Sequence, residues 1–215
     1  MRLVFVGILA WVCTAWAAPT SHEPANIFPL KQELHAYVDS GQYDRDMAAV
    51  ASEASAWLEQ RAKQGGGKLM VVFDLDETLL SNWPQIVGQD FGYIPAAWNA
   101  WVDEGKCLAI GPVREVYRQA RRLGMDVVLM SGRRERDRAG TERNLREIGC
   151  ADYTALFFKP DDSKELTGAF KLGHRRRLQA EGYLIVANIG DQESDFEGGV
   201  GERMFKLPNP FYITK

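Results

Sequence analysis

Three polar clusters in this 215-residue chain have residue types and spacings that could do chemistry. The first is Asp74-Leu75-Asp76-Glu77-Thr78, directly after the apolar run Leu69 to Phe73. The second is Ser131-Gly132-Arg133, after Met125 to Met130. The third is Gly190-Asp191-Gln192-Glu193-Ser194-Asp195, after Tyr183 to Ile189. Side chains alternate along an extended chain, so Asp74 and Asp76 are expected to point the same way, with Leu75 between them. Two close carboxylates repel unless a cation or a proton neutralises them. Oxygen-only donors select a hard cation. Mg²⁺ is commonly held by one or two carboxylates, with waters and a substrate phosphate completing its octahedron. Acidic ligands also need such a cation to admit an anionic phosphate. Taken singly, each Asp could equally cap a helix. Their common position just after apolar runs is what argues for one site.

The elements that must position these clusters follow from hydrophobic periodicity. Leu30 to Ser40 and Asp44 to Lys63 are predicted helices, the first ended by Gly41. In the second, Met47, Val50, Ala51, Ala54, Trp57 and Leu58 recur at helical spacing. Gly65-Gly66-Gly67 reads as a linker, because it lacks the phosphate-loop pattern and precedes a strand. Strands are predicted at 69–73, 125–130, 155–158, 183–189 and 205–207, and helices at 113–123, 138–148 and 170–180. Apolar strands alternating with amphipathic helices imply an α/β fold, a parallel sheet with helices on both faces. Ligands bind beyond the carboxyl ends of the strands in such sheets, which is where all three clusters fall. Residues 82–112 interrupt the alternation with Trp83, Phe91, Tyr93, Trp98 and Trp101. They read as a small insertion folded over the first strand's carboxyl end. Core packing is the default for each aromatic, and stacking on a substrate ring is the alternative.

The ordered set Asp74-x-Asp76-x-Thr78, Ser131, a later lysine and Asp191-x-x-x-Asp195 resembles the four motifs of the haloacid dehalogenase (HAD) superfamily. Within it, Phe73 to Asn82 (FDLDETLLSN), Gly190-Asp191-Gln192-x-Ser194-Asp195 and Phe205 to Pro210 (FKLPNP) resemble the secreted class B acid phosphatases, including the plant vegetative storage proteins. The resemblance spans about residues 28–213. It implies a HAD-like Rossmannoid sheet with an N-terminal helical extension and the 82–112 cap. It also implies a Mg²⁺-dependent phosphomonoester hydrolase working through an aspartyl-phosphate. Asp74 would be the nucleophile. Asp76 would protonate the leaving alcohol and then deprotonate water. Ser131 and the Gly132 N–H would hold phosphate oxygens. The Asp74 carboxylate, the Asp76 carbonyl and the Asp191 carboxylate would bind Mg²⁺. Thr78 would orient the loop, and Asp195 would support the metal site or bind through water.

For the third motif there are three candidate lysines. The resemblance favours Lys171, because the family usually shows an aromatic residue followed by Lys at a helix start and Phe170-Lys171 fits that about 20 residues before Asp191, whereas Lys159 and Lys164 read as loop surface. Arg133 is expected either on the substrate phosphate or paired with a helix carboxylate. Where relatives carry Trp, this chain has Glu193, a departure expected to alter the site rim. Two further readings share the motifs. A non-catalytic storage relative is disfavoured by the presence of Asp74, Asp76 and Asp191. A phosphotransferase would differ only in its cap.

Composition bounds the rest. The chain is 46% hydrophobic and 26% charged, with a formal charge of −3, an ordinary globular balance. It has no long basic run to suit a nucleic-acid polymer, so a small-molecule phosphate monoester is the expected partner. His174-Arg175-Arg176-Arg177 is expected to be a solvated helix face, and His22, His35 and His174 ordinary surface residues. Residues 1–17 read as a cleavable signal peptide: Arg2, an apolar run from Leu3 to Trp16, then Ala15-Trp16-Ala17. That run is too short for a membrane anchor. Residues 18–27 read as a flexible lead and 28–215 as the catalytic domain, secreted or periplasmic. Cys107 and Cys150 are expected to be buried free thiols.

Overall fold

The computed structural model describes residues 24–214, so the signal-peptide reading and His22 lie outside the described residues. Asn26 opens the first helix, its side chain accepting from the Phe28 N–H, as a good N-cap does. Helix α1 (Ile27–Asp39) turns through Gly41, at φ 71°, into α2 (Gln42–Gln64). Left-handed backbone of that kind favours glycine. The α1 helix begins at the end of what reads from sequence as flexible lead.

Strand β1 (Lys68–Phe73) follows the glycine turn. The segment after it holds β2 (Leu80–Ser81), α3 (Trp83–Gly88), α4 (Pro95–Glu104) and β3 (Leu108–Ala109). Strands β2 and β3 pair antiparallel into a small ribbon. The alternation resumes with α5 (Gly111–Arg122), β4 (Asp126–Arg134), α6 (Arg138–Glu147), β5 (Ala155–Lys159), α7 (Thr167–Ala180), β6 (Tyr183–Gly190) and β7 (Met204–Lys206). The order across the sheet is β5-β4-β1-β6-β7, and every pairing is parallel.

The apolar strand residues account for this arrangement. Met70 and Val72 face one layer with Val128, Met130, Leu178 and Ile185. Val71 and Phe73 face the other, with Met47, Leu58, Val113, Tyr117 and Leu129. Burial on both faces is what a parallel sheet requires. The predicted strand 125–130 is longer than expected. It runs through Ser131-Gly132-Arg133, with its register against β5 shifting between Met130 and Arg134, so the second cluster sits in a bulged strand end and not in a loop. Cys107 and Cys150 are buried free thiols. Among the described residues, no helix is long and apolar enough to cross a membrane.

Candidate active site

Strand β1 lies at the centre of the sheet, with β4 on one side and β6 on the other. The carboxyl ends of these three neighbours carry the three clusters. Asp74 N donates to Ile189 O at 2.9 Å, which ties the first loop to β6. The N–H groups of Thr78, Leu79 and Leu80 all converge on Leu75 O, closing a tight turn. Glu77 takes a left-handed φ of 51° in that turn, an unusual conformation for a side chain of its size. A cavity of about 430 Å³ opens above, lined by Asp74, Asp76, Gly132, Lys171 and Asp191 from the sheet side. Phe91, Tyr93 and Trp98 from the segment after β1 and Phe211 and Tyr212 from the C-terminal segment also line it.

Asp74 is almost fully buried and pairs with Lys171 Nζ. The same ammonium reaches Asp195 Oδ1 at 2.5 Å. Among the described residues no donor reaches Asp74 Oδ2. Burial drives the Asp74 carboxyl well above its ordinary pKa. Lys171 opposes the shift, and the charges of Asp195, Asp191 and Asp76 add to it. Burial alone would lower Lys171, but Asp195 and Asp74 outweigh it and hold the ammonium above an ordinary lysine. Of the three candidate lysines, only Lys171 lines the cavity. Lys159 departs from its surface reading. It is buried at the end of β5, and its ammonium donates to Glu165 O.

Asp191 is held from three sides. Thr78 Oγ1 donates to Oδ1 at 3.3 Å, while Gln192 Nε2 and Asn209 Nδ2 donate to Oδ2 at 2.6 and 2.7 Å. Carboxylate oxygens of Asp74, Asp191 and Asp195 lie within 4.8 Å of one another. A side chain at Gly190 would collide with Asp195, so glycine there lets that carboxylate fold back into the cluster. Burial, then the Asp195 charge, raises Asp191.

Asp76 has different neighbours. Arg133 Nη2 donates to its Oδ1 at 2.6 Å, and Arg133 Nε lies 3.1 and 3.2 Å from its two oxygens. Arg133 thus pairs with the other motif aspartate, not with a helix carboxylate. It is itself buried, bonded to Thr141 Oγ1 at 2.9 Å. Ser131 is fully buried and does not line the cavity. Its Oγ accepts from Arg133 N at 3.1 Å, which leaves its hydroxyl hydrogen available for donation. Gly132 does line the cavity, and Thr167 packs where its side chain would be.

Three more sequence expectations are revised here. Arg175 is not on a solvated face. It is 1% exposed, and its guanidinium donates to Asp195 O and Glu197 O, bracing the turn that carries Asp195. His35 and His174 are half-buried, not ordinary surface residues. His35 packs edge-on to Trp83 and Phe91, and His174 stacks on Phe157. Glu193 is exposed and is not among the residues that line the cavity. Asn82, Glu77, Gln192, Asn209 and Tyr212 are network members that motif reasoning did not assign. Asn209 had one available signal, its place in the Pro-Asn-Pro ending just after β7.

Residues 6–215 match the family model of HAD superfamily subfamily IIIB, the acid phosphatases. The chain belongs to this family. It is 33% identical over 212 residues to "Acid phosphatase 1" of Solanum lycopersicum, covering 93% of this chain and 82% of that one. It is 32% identical over 181 residues to "Vegetative storage protein 1" of Arabidopsis thaliana, covering 82% and 67%. Among solved structures it is similar to the class C acid phosphatase from Bacillus anthracis. That match has a TM-score of 0.71 at 25% identity and covers 85% of this chain and 86% of the other. The family thus pairs a HAD-like parallel sheet with acid phosphatase activity, hydrolysis of phosphoric monoesters.

Proposed function

We propose that this acid phosphatase is a Mg²⁺-dependent phosphomonoester hydrolase that forms an aspartyl-phosphate on Asp74. The observation that carries the proposal is the state of Asp74. It lines the cavity from the end of the central strand, fixed through one oxygen by Lys171, and among the described residues no donor reaches its other oxygen.

In the first step an Asp74 oxygen attacks phosphorus. The new P–O bond forms as the ester P–O bond breaks, and Asp76 gives its proton to the departing alkoxide. In the second step water attacks the same phosphorus while Asp76 takes the water proton. The Asp74–phosphorus bond breaks and inorganic phosphate leaves. Lys171 compensates negative charge at Asp74 throughout. The N–H of Gly132, which lines the cavity, is the proposed donor to phosphate oxygens, and Ser131, buried outside the lining, would hold that strand end through the bond its Oγ accepts from Arg133 N. Such chemistry needs positioning and charge compensation more than covalent novelty.

The donor set fits a hard cation: three carboxylates close together, all oxygen, and one lysine to offset them. Asp74 and Asp191, with the Asp76 carbonyl, would hold Mg²⁺, and Asp195 would support them. When bound, the ion would neutralise phosphate charge among these acids. The apolar N-terminal run and the "Stem 28 kDa glycoprotein" of Glycine max, 32% identical over 217 residues, favour an exported protein.

The test is hydrolysis of p-nitrophenyl phosphate with Mg²⁺, with chelator, and by Asp74→Asn. Chelation should abolish turnover. Asp74→Asn should lower kcat by at least about 10³-fold with thermal unfolding unchanged or raised, because a charge leaves a crowded site. Full activity in that variant removes Asp74 as nucleophile.

A further inference from the structure

Asn82 takes no part in the chemistry above, yet it is fully buried with all its polar atoms engaged. Its main-chain N–H donates to Glu77 Oε1 at 2.6 Å, and its carbonyl accepts from the Gln85 and Ile86 N–H groups of α3. Its Nδ2 donates to Asp76 Oδ1 at 2.8 Å and to Glu77 Oε2 at 3.1 Å. Its Oδ1 accepts from Trp101 Nε1 at 2.9 Å and from the Cys107 thiol at 3.3 Å. An indole N–H can only donate. Trp101 therefore fixes which end of the amide faces it, and the amino end is turned to Asp76. A flipped amide would set donor against donor at Trp101 and oxygen against carboxylate at Asp76.

Trp101 stands on α4, and α4 is tightly seated. A side chain at Gly140 of α6 would collide with the Val102 backbone. Asn144, also on α6, accepts from Cys107 N at 2.9 Å and donates to Cys107 O at 2.8 Å. The consequence falls on Asp76. Its Oδ1 receives Asn82 and both reaching nitrogens of Arg133, whereas Oδ2 receives only Arg133 Nε at 3.1 Å. Oδ2 is the oxygen left to exchange a proton.

We propose that Trp101 and Asn82 are positioning residues for the reaction: the indole orients the Asn82 amide, which holds Asp76 Oδ1 and so presents Oδ2 to the ester oxygen. The proposal rests on the reading of Asp76 as the acid that protonates the leaving group. A misplaced acid harms only those substrates that need one. The alkoxide of an alkyl phosphate must be protonated as it leaves, but nitrophenolate departs without help. A purely structural role for Trp101 would slow both equally.

The experiment compares kcat/KM on p-nitrophenyl phosphate and ethyl phosphate for wild type, Asp76→Asn, Trp101→Phe and Asn82→Ser. Trp101→Phe keeps a ring in place and removes the donor. Asn82→Ser is the independent second variant, and thermal unfolding reports folding for each. Asp76→Asn should lose roughly 10²-fold more on the ethyl ester than on the aryl ester, the scale of general acid catalysis. Trp101→Phe should lose about tenfold on the ethyl ester and under about threefold on the aryl ester, with Asn82→Ser selective in the same sense. Equal losses on both esters in Trp101→Phe and Asn82→Ser, with Asp76→Asn still selective, overturn the relay alone. No selectivity in Asp76→Asn overturns the acid assignment, and the relay with it.

Discussion

Removing the Lys171 ammonium should make the fold dependent on a bound cation. Lys171 is 4% exposed and is shared between Asp74 and Asp195. In Lys171→Met the carboxylates of Asp74, Asp191 and Asp195 remain within 4.8 Å of one another. At an effective dielectric of about 20, each such pair repels by at least about 3.5 kcal/mol, about 10 kcal/mol for the three. The site would relieve this by taking up a proton. The same repulsion exists in the wild type, where the two Lys171 ion pairs offset it, so the loss is that of the ammonium, roughly 3–5 kcal/mol for removing one partner of a buried ion pair. For a chain of this size that lowers Tm by roughly 10 °C. The sign with pH follows. Carboxyls raised on folding contribute stability at low pH that fades as pH rises, so the deficit should be small near pH 4 and full by pH 8. Added Mg²⁺ should restore much of it, because the ion replaces the lost positive charge. The assay is thermal unfolding of wild type and variant at pH 4 and pH 8, with chelator and with Mg²⁺. A chelated variant as stable as wild type at pH 8 would refute the electrostatic account of the site.

Two other changes act on the same acids from the C-terminal segment. Asn209→Ala removes the 2.7 Å donor to Asp191 Oδ2. It should weaken Mg²⁺ about 10- to 100-fold, read as a right-shifted activation curve at unchanged saturating kcat; an unshifted curve removes Asn209 from the metal site. Tyr212→Phe removes the hydroxyl that donates to Glu77 Oε2. Burial, then the Asp76 charge, pushes Glu77 from 4.5 up to about 8, against the Tyr212 and Asn82 donors. Its neutral form therefore contributes stability that is fully present below about 4.5 and lost as pH rises through about 8. The Tyr212 bond supports the ionised form, so the chelated variant should lose about 1 kcal/mol at pH 5 and roughly 1.5–3 kcal/mol at pH 9. Equal losses at both values, by denaturant unfolding, would count against that bond.

The parts legible in the sequence are those governed by local pattern. Continuous apolar runs located β1, β5 and β6 to within a residue or two, since buried parallel strands are apolar on both faces. The clusters at the carboxyl ends of β1, β4 and β6 met because the topology puts those strands side by side. Lys171 was separable from Lys159 and Lys164 by the family's aromatic-lysine pair, although α7 begins earlier, at Thr167. What stayed hidden depends on partners far along the chain. Arg133 reaches Asp76 across 57 positions, and Trp101 reaches Asn82 across 19. Arg175 reads as one of three exposed arginines until its guanidinium is seen bracing Asp195 and Glu197. Periodicity marks a face, but it does not say that a charged side chain crosses it to find a carbonyl.

The two aspartates of the first cluster lie two residues apart and would be interchangeable by type alone. Their surroundings separate them. Asp74 faces a lysine that it shares with Asp195, sits among other carboxylates, and among the described residues keeps one oxygen free of donors. The lysine opposes the rise in pKa that burial and the neighbouring carboxylates impose, and so supports the negative charge a nucleophile must carry, while the free oxygen suits approach to phosphorus. The Asp76 side chain is 18% exposed and is gripped through Oδ1 by Arg133 and Asn82. Those conditions suit a group that must hold one orientation while a proton comes and goes. Exchanging the cations tests whether the partners set the roles. A lysine at 133 is a compact point charge without the planar fork of arginine. Arg133→Lys should therefore keep the charge near Asp76 but lose its fixed orientation, slowing alkyl esters more than aryl esters. Removing the ammonium at Lys171 should slow both alike, because attack by Asp74 is common to every substrate.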